Sequence, residues 1–230
     1  MNALSLIIPA AGSGVRLGSE IPKPFIRIGD KTILEHTVRR FLDYKGLKQV
    51  VIATSAAYLE EVQVMLDGIG AASIMMKAVE GGAERQYSIY NALGEVDERS
   101  ELIAVHDAVR PFISATIIEQ CCRIADEYGG AVVGVPAKDT IKKVDEDNVI
   151  IETPDRSMLW QAQTPQVFKK ELLIRAYESA MNHDLLGTDD ASLVEAVGGV
   201  VKMVEGEREN LKITYPIDLQ VAELILKNKS

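Results

Sequence analysis

The chain has 230 residues, a formal net charge of −9 and a hydrophobic fraction of 47%, which is the composition of an ordinary globular protein. The net negative charge argues against a protein that binds nucleic acid over a large surface, because such proteins normally carry a positively charged surface. The sequence contains no apolar run near the roughly 20 residues of a membrane span. Its two cysteines, Cys121 and Cys122, are neighbours in a predicted helix, a pattern that argues against a mutual disulfide and suits the reducing cytoplasm.

Short apolar segments alternate with helical patterns, which predicts a single α/β domain over residues 1–230. Continuous apolar strands between helices indicate a mainly parallel sheet that is covered by helices on both faces. Ligands of such sheets bind beyond the carboxyl ends of the strands, so the loops there should carry the chemistry. Strands are predicted at Leu4–Pro9, Gln49–Thr54, Ile74–Val79, Leu102–His106, Gly130–Val135, Val200–Val204 and Asn210–Thr214.

The loop after the first predicted strand, from Pro9 to Gly18, is built of small residues that let backbone N–H groups approach an anion. It is neither a P-loop nor a complete dinucleotide fingerprint. Arg16 lies within this loop, and Lys23 follows on a segment that Pro22 and Pro24 stiffen. Two cations beside an N–H-rich loop suit a triphosphate, because the leaving pyrophosphate gains charge as the bond breaks.

A second glycine-containing loop follows the strand predicted at Ile74–Val79. Its paired glycines, Gly81 and Gly82, allow close packing against a flat base. Arg85 and Ser88 follow them and can meet phosphate groups or base edges. Taken alone, this segment could equally be a surface turn in which the arginine is solvated.

Asp107 comes directly after a predicted strand, which places its carboxylate at the ligand-binding edge of the sheet. One or two carboxylates together with substrate oxygens are enough to hold Mg²⁺. Asp107 is therefore the predicted metal ligand. A structural role, in which Asp107 pairs with Arg110 or caps the next helix, is the alternative, and His106 is expected to support the loop.

Residues 138–158 break the alternating pattern. Short segments at Thr140–Val144 and Val149–Ile151 flank an acidic turn and predict a two-stranded hairpin, which is marginally stable unless it packs on something. It could be an arm that docks on a second subunit or an edge hairpin of the same chain. The turn residues Asp145 and Asp147 have the spacing of the metal-binding Asp-x-Asp motif of enzymes that transfer a sugar from a nucleotide sugar. They lie in a predicted hairpin turn, however, away from the strand end at which that motif is expected.

Several later polar residues suit recognition of a phosphorylated polyol, which needs a cation for the phosphate and side chains that read hydroxyl groups. Each of them alone could equally be a cap or a turn, and Thr188 with Asp189 could simply begin a helix. These residues are Thr140, Arg156, Thr164, Thr188 and Lys212.

Together these motifs resemble the 2-C-methyl-D-erythritol 4-phosphate cytidylyltransferases of the non-mevalonate isoprenoid pathway. The matching motifs occur in the same order and cover nearly the whole chain. Together they are more specific for this family than any one of them alone. It implies a Rossmann-like nucleotidyltransferase fold and a homodimer joined by protruding β-arms. The matching segments are Ile8–Arg16, Pro22–Lys23, Gly81–Ser88, His106–Pro111, Asp139–Lys142, Gln163–Phe168, Thr188–Asp190 and Asn210–Thr214.

The resemblance also implies roles for individual residues. Arg16 and Lys23 would stabilise the transition state at the α-phosphate of CTP, and Asp107 would face Mg²⁺ and the substrates. Arg156 and Lys212 would be catalytic and would position the acceptor phosphate. The acceptor would also lie near Thr140, Thr164 and Thr188. Of the residues around the acceptor, Thr140 and Arg156 would come from the arm of the neighbouring subunit. The CTP loops would comprise Ala10, Ala11, Gly12, Gly14, Gly81, Gly82, Arg85, Ser88 and Ala108.

The implied reaction is an in-line attack by the acceptor phosphate on CTP, which needs no side-chain nucleophile. A ribitol 5-phosphate cytidylyltransferase is the closest alternative, since it would share the fold, the CTP loops and the arm. The segments beginning at His106 and at Thr188 favour methylerythritol phosphate. A non-catalytic nucleotide-binding protein is disfavoured by the joint presence of Arg16, Lys23, Asp107 and Lys212.

Overall fold

The computed structural model describes residues 2–12 and 21–229. In chain order the strands are β1 (Leu4–Pro9), β2 (Arg27–Ile28), β3 (Lys31–Thr32), β4 (Leu47–Thr54), β5 (Met75–Glu80), β6 (Leu102–Val105), β7 (Gly130–Pro136), β8 (Lys143–Val144), β9 (Ile150–Glu152), β10 (Trp160–Lys169) and β11 (Val201–Glu205). The helices are α1 (Ile33–Arg39), α2 (Leu59–Ile69), α3 (Arg85–Leu93), α4 (Ala115–Tyr128), α5 (Lys170–Asn182), α6 (Asp190–Ala196) and α7 (Pro216–Lys229). Among the described residues, none of these helices combines the length and apolar character that a bilayer crossing requires.

Seven strands form the central sheet, in the order β11-β7-β10-β6-β1-β4-β5. Strand β1 pairs in parallel with β4 and β6, β5 pairs in parallel with β4, and β11 pairs in parallel with β7. Strand β10 runs antiparallel between β6 and β7. The sheet is therefore mostly parallel and Rossmann-like, which confirms the predicted fold class.

Both faces of the sheet are covered by helices. Leu6 and Ile8 of β1 pack on one side with apolar residues of α1, α2 and α4, whereas Ile7 packs on the other side with residues of α3, α5 and α6. All three side chains are fully buried, as expected for a strand with helices above and below it. In the centre of the sheet, where β1 and β6 are buried along their length, the strand ends are left as the accessible part.

The central strand β10 was not predicted from the sequence. Its segment Gln163–Gln166 is polar and contains Pro165, and proline cannot donate a hydrogen bond to a sheet ladder. The pairing of β10 with β7 is accordingly interrupted between Ala162 and Gln166. Buried polar side chains and a proline thus concealed a ten-residue strand.

The strand predicted at Asn210–Thr214 was wrong, because this segment has no regular secondary structure. Two residues of this segment are nevertheless buried. Asn210 is fully buried by polar contacts, and Ile213 is fully buried in a small apolar cluster with residues of α7. The segment is therefore a loop that packs over the core.

The predicted hairpin is confirmed as β8 and β9, which form a two-stranded sheet separate from the central one. Every residue from 138 to 153 is exposed. The apolar side chains of Val149, Ile150 and Ile151 are 57–59% exposed. The hairpin, with the short 3₁₀ turn at Arg156–Met158, is called the arm below. Since β8 and β9 are not part of the central sheet, the alternative of an edge hairpin is wrong.

The cysteines behave as the sequence indicated. Cys121 and Cys122 are free, buried and packed in α4. Burial raises the pKa of the Cys122 thiol to about 11, so this side chain stays protonated at neutral pH.

Candidate active site

A cleft of about 790 Å³ opens at the carboxyl edge of the sheet. Its walls come from the loops that follow β1, β5 and β6, from the turn at Lys23 and from residues 212–214. This is the edge at which ligands of parallel sheets bind. The predicted site residues in its lining are Ala10, Ala11, Gly12, Lys23, Gly82, Arg85, Ser88, Asp107, Ala108 and Lys212.

The loop after β5 is pressed tightly against the loop after β1. A Cβ atom on Gly81 would lie 2.6 Å from the Cβ of Ala11, and one on Gly82 would lie 2.4 Å from the Cβ of Tyr87. Ser88 stiffens the turn, because its Oγ accepts a hydrogen bond from the N–H of Gly82 at 3.0 Å. The paired glycines are therefore required by close approach, with Gly82 lining the cleft and Gly81 packed behind it.

Lys23 lies at the start of the 3₁₀ turn Lys23–Phe25, directly after Pro22. Although it is a lysine, it is only 7% exposed. Its ammonium group donates a hydrogen bond to the carbonyl of Thr214 at 2.9 Å. The lysine thus bridges two walls of the cleft and holds a positive charge at a fixed position inside it.

Asp107 lies at the centre of a charged cluster and is 8% exposed. Burial alone would raise the pKa of its carboxyl, but attraction by the neighbouring cations, led by Lys212, outweighs burial and holds the pKa well below its usual range. The carboxylate is therefore ionised at neutral pH. Three cations surround it: Lys212 Nζ at 3.1 Å and Arg110 Nε at 3.2 Å from Oδ2, and Arg85 Nε at 3.7 Å from Oδ1.

The described residues contain no group of three or more His, Cys, Asp and Glu side chains that could hold a metal by themselves. Asp107 nevertheless supplies a buried, ionised carboxylate in the cleft. Mg²⁺ is commonly held by one or two carboxylates plus the phosphates of a substrate. The donor set fits a metal ion that arrives with a phosphate chain, and it does not fit an all-protein metal site.

Arg85 was expected to meet the nucleotide, and the structure gives it a second partner. Its Nη1 and Nη2 donate to the two carboxylate oxygens of Asp190, at 3.1 and 2.7 Å. Asp190 is fully buried and also accepts a hydrogen bond from the Tyr177 hydroxyl at 2.5 Å. The sequence analysis placed Asp190 in a matching segment without giving it a role, and it missed Tyr177. The available signal was the pair of aspartates at 189 and 190, of which a helix start needs only one.

Arg110 is a further residue of the cluster that sequence reasoning had considered only as a structural partner of Asp107. It is 9% exposed, and its Nη1 donates to the carbonyl of Asn210 at 2.7 Å. Arg110 therefore joins the Asp107 loop to the segment that carries Lys212. Burial lowers the pKa of His106 to about 4, and its Nε2 donates to the carbonyl of Arg110 at 3.0 Å. His106 is neutral and supports the loop, as expected.

Five predicted residues lie outside the described lining of the cleft. Thr164 is buried, and its Oγ1 accepts a hydrogen bond from the N–H of Asp107 at 3.0 Å, so it holds the Asp107 loop in place. Thr188 is exposed just before the cap of α6, and Thr140 and Arg156 are exposed on the arm. Gly81 packs behind the wall. The roles of Gly14 and Arg16 concern positions outside residues 2–12 and 21–229 and stay predictions.

A cleft of this size, lined by tight glycine turns and by a carboxylate among cations, suits a nucleotide and its phosphates. With the Rossmann-like sheet beneath it, this site defines the chain as a nucleotidyltransferase. The sequence model of one family within that class, the 2-C-methyl-D-erythritol 4-phosphate cytidylyltransferases, matches residues 4–228. The chain belongs to this family.

Known proteins similar to the chain carry the same description. A 2-C-methyl-D-erythritol 4-phosphate cytidylyltransferase of Caldanaerobacter subterraneus is 43% identical over 224 residues, which are 97% of this chain and 99% of that protein. One from Clostridioides difficile is 43% identical over 96% of this chain and 93% of its own length. The crystal structure of 4-diphosphocytidyl-2C-methyl-D-erythritol synthase from Anaerococcus prevotii has a TM-score of 0.87 at 30% identity, covering 98% of this chain and 96% of that one. The family resemblance of the sequence is thereby confirmed.

Proposed function

We propose that the protein transfers the cytidylyl group of CTP to 2-C-methyl-D-erythritol 4-phosphate, as a step in isoprenoid precursor biosynthesis. The products are 4-diphosphocytidyl-2-C-methyl-D-erythritol and pyrophosphate. The observation that carries this proposal is the arrangement of Lys23, Lys212 and Asp107 in one cleft beside the glycine turns. Both substrates are polyanions, and such a cleft provides fixed positive charge for two phosphate groups at once.

In the proposed reaction an oxygen of the acceptor phosphate attacks the α-phosphorus of CTP. A new P–O bond forms while the bond from the α-phosphorus to the bridging oxygen of pyrophosphate breaks, and pyrophosphate leaves with the electron pair. The acceptor phosphate is already anionic at neutral pH, so no general base is needed. Catalysis then rests on orientation and on charge stabilisation by Arg16 and Lys23.

The two substrates would occupy different walls of the cleft. The rigid turns at residues 10–12 and 81–88 form the cytidine side, where close-packed backbone suits a flat base. Lys212 would bind the acceptor phosphate, since its ammonium group is half-exposed and already lies beside Asp107. Mg²⁺ is the expected divalent cation, held by Asp107 and the CTP phosphates, and when bound it would neutralise phosphate charge.

We also propose a homodimer in which each arm completes the partner's site. Thr140 and Arg156 support this, because they are exposed on the arm and lie outside the described cleft lining of their own chain. The exposed apolar side chains of β9 need a partner surface, and an isolated hairpin is marginal without one. The working unit would be a pair of single-domain chains in the cytoplasm, where unpaired thiols such as Cys121 and Cys122 persist.

Mixing two inactive variants tests whether the arm acts in trans. Lys23→Ala damages the cleft and Arg156→Ala damages the arm, so each homodimer should be inactive. A heterodimer would contain one site with an intact cleft and an intact arm from the other chain. Random reassociation of equal amounts should therefore restore roughly a quarter of wild-type activity. Absence of rescue, with heterodimers verified by differential tagging and both homodimers inactive, would place Arg156 in the site of its own chain.

The reaction itself is tested by pyrophosphate release from CTP and Mg²⁺. Methylerythritol 4-phosphate and ribitol 5-phosphate are compared in parallel, with EDTA as a further arm. We expect strong preference for methylerythritol 4-phosphate and loss of turnover in EDTA. Preference for ribitol 5-phosphate would keep the chemistry and replace the acceptor, whereas release with neither by a folded protein would overturn the proposal.

A further inference from the structure

Helix α6 begins at two consecutive aspartates that have different environments. Asp189 is the N-cap: its side chain accepts a hydrogen bond from the N–H of Ser192 at 2.9 Å, and the Ser192 hydroxyl completes a capping box. Asp190 follows and is fully buried. The helix start is already satisfied by Asp189, so capping does not explain the second carboxylate.

A buried carboxylate is costly unless it is both paired and hydrogen-bonded. Asp190 meets both conditions through the fork of Arg85 and the hydroxyl of Tyr177. A two-point contact of this kind fixes the plane of a guanidinium group as well as its position. The third nitrogen of the Arg85 guanidinium, Nε, then faces Asp107 at 3.7 Å.

The contacts of these residues form one line from the core to the cleft. Tyr177 lies in α5 and is 1% exposed, Asp190 is 0% exposed, and the Arg85 side chain is 36% exposed where it reaches the cleft. A buried ion pair usually adds little net stability compared with apolar residues of the same volume. The charge of Asp190 is thus better explained by what it does to Arg85 than by stability.

We propose that Asp190, supported by Tyr177, is a positioning residue that holds Arg85 in orientation toward Asp107 and the reacting phosphates. This proposal rests on the proposed function only in taking the cleft as the place of reaction. Without Asp190 the long Arg85 side chain can swing into the cleft, where it pairs with substrate phosphates in unproductive geometry. Binding then survives while orientation is lost.

The variant Asp190→Asn tests the proposal, with Asp189→Asn as its matched control. Asparagine keeps the shape of Asp190 but cannot accept both hydrogen bonds from Arg85. We expect kcat to fall by about 100-fold, with the KM values for both substrates changed less than about threefold. Asp189→Asn makes the same substitution at the preceding position, where asparagine caps the helix about as well as aspartate, and should keep kcat near wild type. Equal losses in the two variants would overturn the proposal, because the effect would then not depend on the contact between Asp190 and Arg85.

Two further variants separate positioning from folding. Tyr177→Phe removes one hydrogen bond from Asp190 and should lower kcat by roughly tenfold. This variant carries the test if Asp190→Asn fails to fold, and unchanged kcat would then contradict the proposal. In an Arg85→Ala background, adding Asp190→Asn should lower kcat no further, because the group that Asp190 orients is already absent. An additional loss of tenfold or more in the double variant would show that Asp190 acts by another route.

A readout without turnover distinguishes this proposal from the proposed function. The side-chain N–H signals of Arg85 in ¹⁵N NMR should be resolved in the wild type and in Asp189→Asn, since a two-point contact hinders rotation of the guanidinium. They should broaden in Asp190→Asn. If the wild type were inactive while these signals changed as expected, the proposed function would fail and the positioning role would stand. Identical signals in all three proteins would overturn the positioning role.

Discussion

Replacing Lys23 by alanine is expected to lower kcat by about 100- to 1,000-fold, the usual cost of removing one fixed charge-stabilising group from an active site. Lys23 is nearly buried, and its ammonium group is tethered to the carbonyl of Thr214. A charge held in this way needs no reorganisation as negative charge grows on the leaving pyrophosphate. The loss should therefore appear mainly in kcat, measured by pyrophosphate release at saturating CTP.

Control variants distinguish the effect of removing the Lys23 charge from the effect of removing its side chain. Lys23→Met keeps most of the buried stem and should show the same fall in kcat with a smaller loss of stability. Lys31→Ala removes a lysine whose ion pair with Asp30 lies at the surface, and its kcat should match the wild type. Near-normal turnover by a folded Lys23→Ala protein would refute the catalytic role of this residue.

Replacing Asp107 by asparagine is expected to lower both activity and stability. The substitution removes the one carboxylate that lies between Arg85, Arg110 and Lys212. Arg110 is nearly buried, and a buried charge left without its partner costs about 3–5 kcal/mol. We expect the free energy of unfolding in urea to fall by an amount near the lower end of that range, since Lys212 is half-exposed and solvated.

The activity of Asp107→Asn should fall by about 100-fold in kcat/KM, because the cations it organises lose their common anchor. Asp97→Asn is a suitable control. Asp97 is also a shielded carboxylate paired with an arginine, Arg99, but it lies before β6, at the end of the sheet away from the cleft. This control should keep wild-type kcat/KM. Equal kcat/KM in Asp107→Asn and in the wild type would remove Asp107 from the site.

Much of the fold could be read from the sequence because apolar β-branched runs mark buried parallel strands. The bounds of β1 were predicted as observed, and those of β4 to β7 to within about two residues. The cleft residues in the loops after these strands were found for the same reason, since topology alone brings the carboxyl ends together. Lys23, Asp107 and Lys212 do line one cleft, although they are separated by about a hundred residues each.

What the sequence concealed depends on contacts between distant polar residues. Asp190 and Arg85 are 105 positions apart, and no local sequence pattern predicts their pairing. Arg110 could be read beside Asp107, but its contact with the carbonyl of Asn210 depends on a loop without regular structure. Strand β10 was missed because three of its buried residues, Gln163, Thr164 and Gln166, serve hydrogen bonds where a strand usually carries apolar groups.

Strand β10 also limits how the chain can vary between species. It begins at Trp160, just after the arm, and four residues later its Thr164 holds the backbone of Asp107. An insertion at the base of the arm would shift the register of this strand and exchange the side chains that it presents to the two faces of the sheet. The turn at residues 145–148 has no such link to the central sheet. The arm can therefore change in length at its tip without disturbing the central sheet, whereas its root is tied to the register of β10 and, through Thr164, to the Asp107 loop.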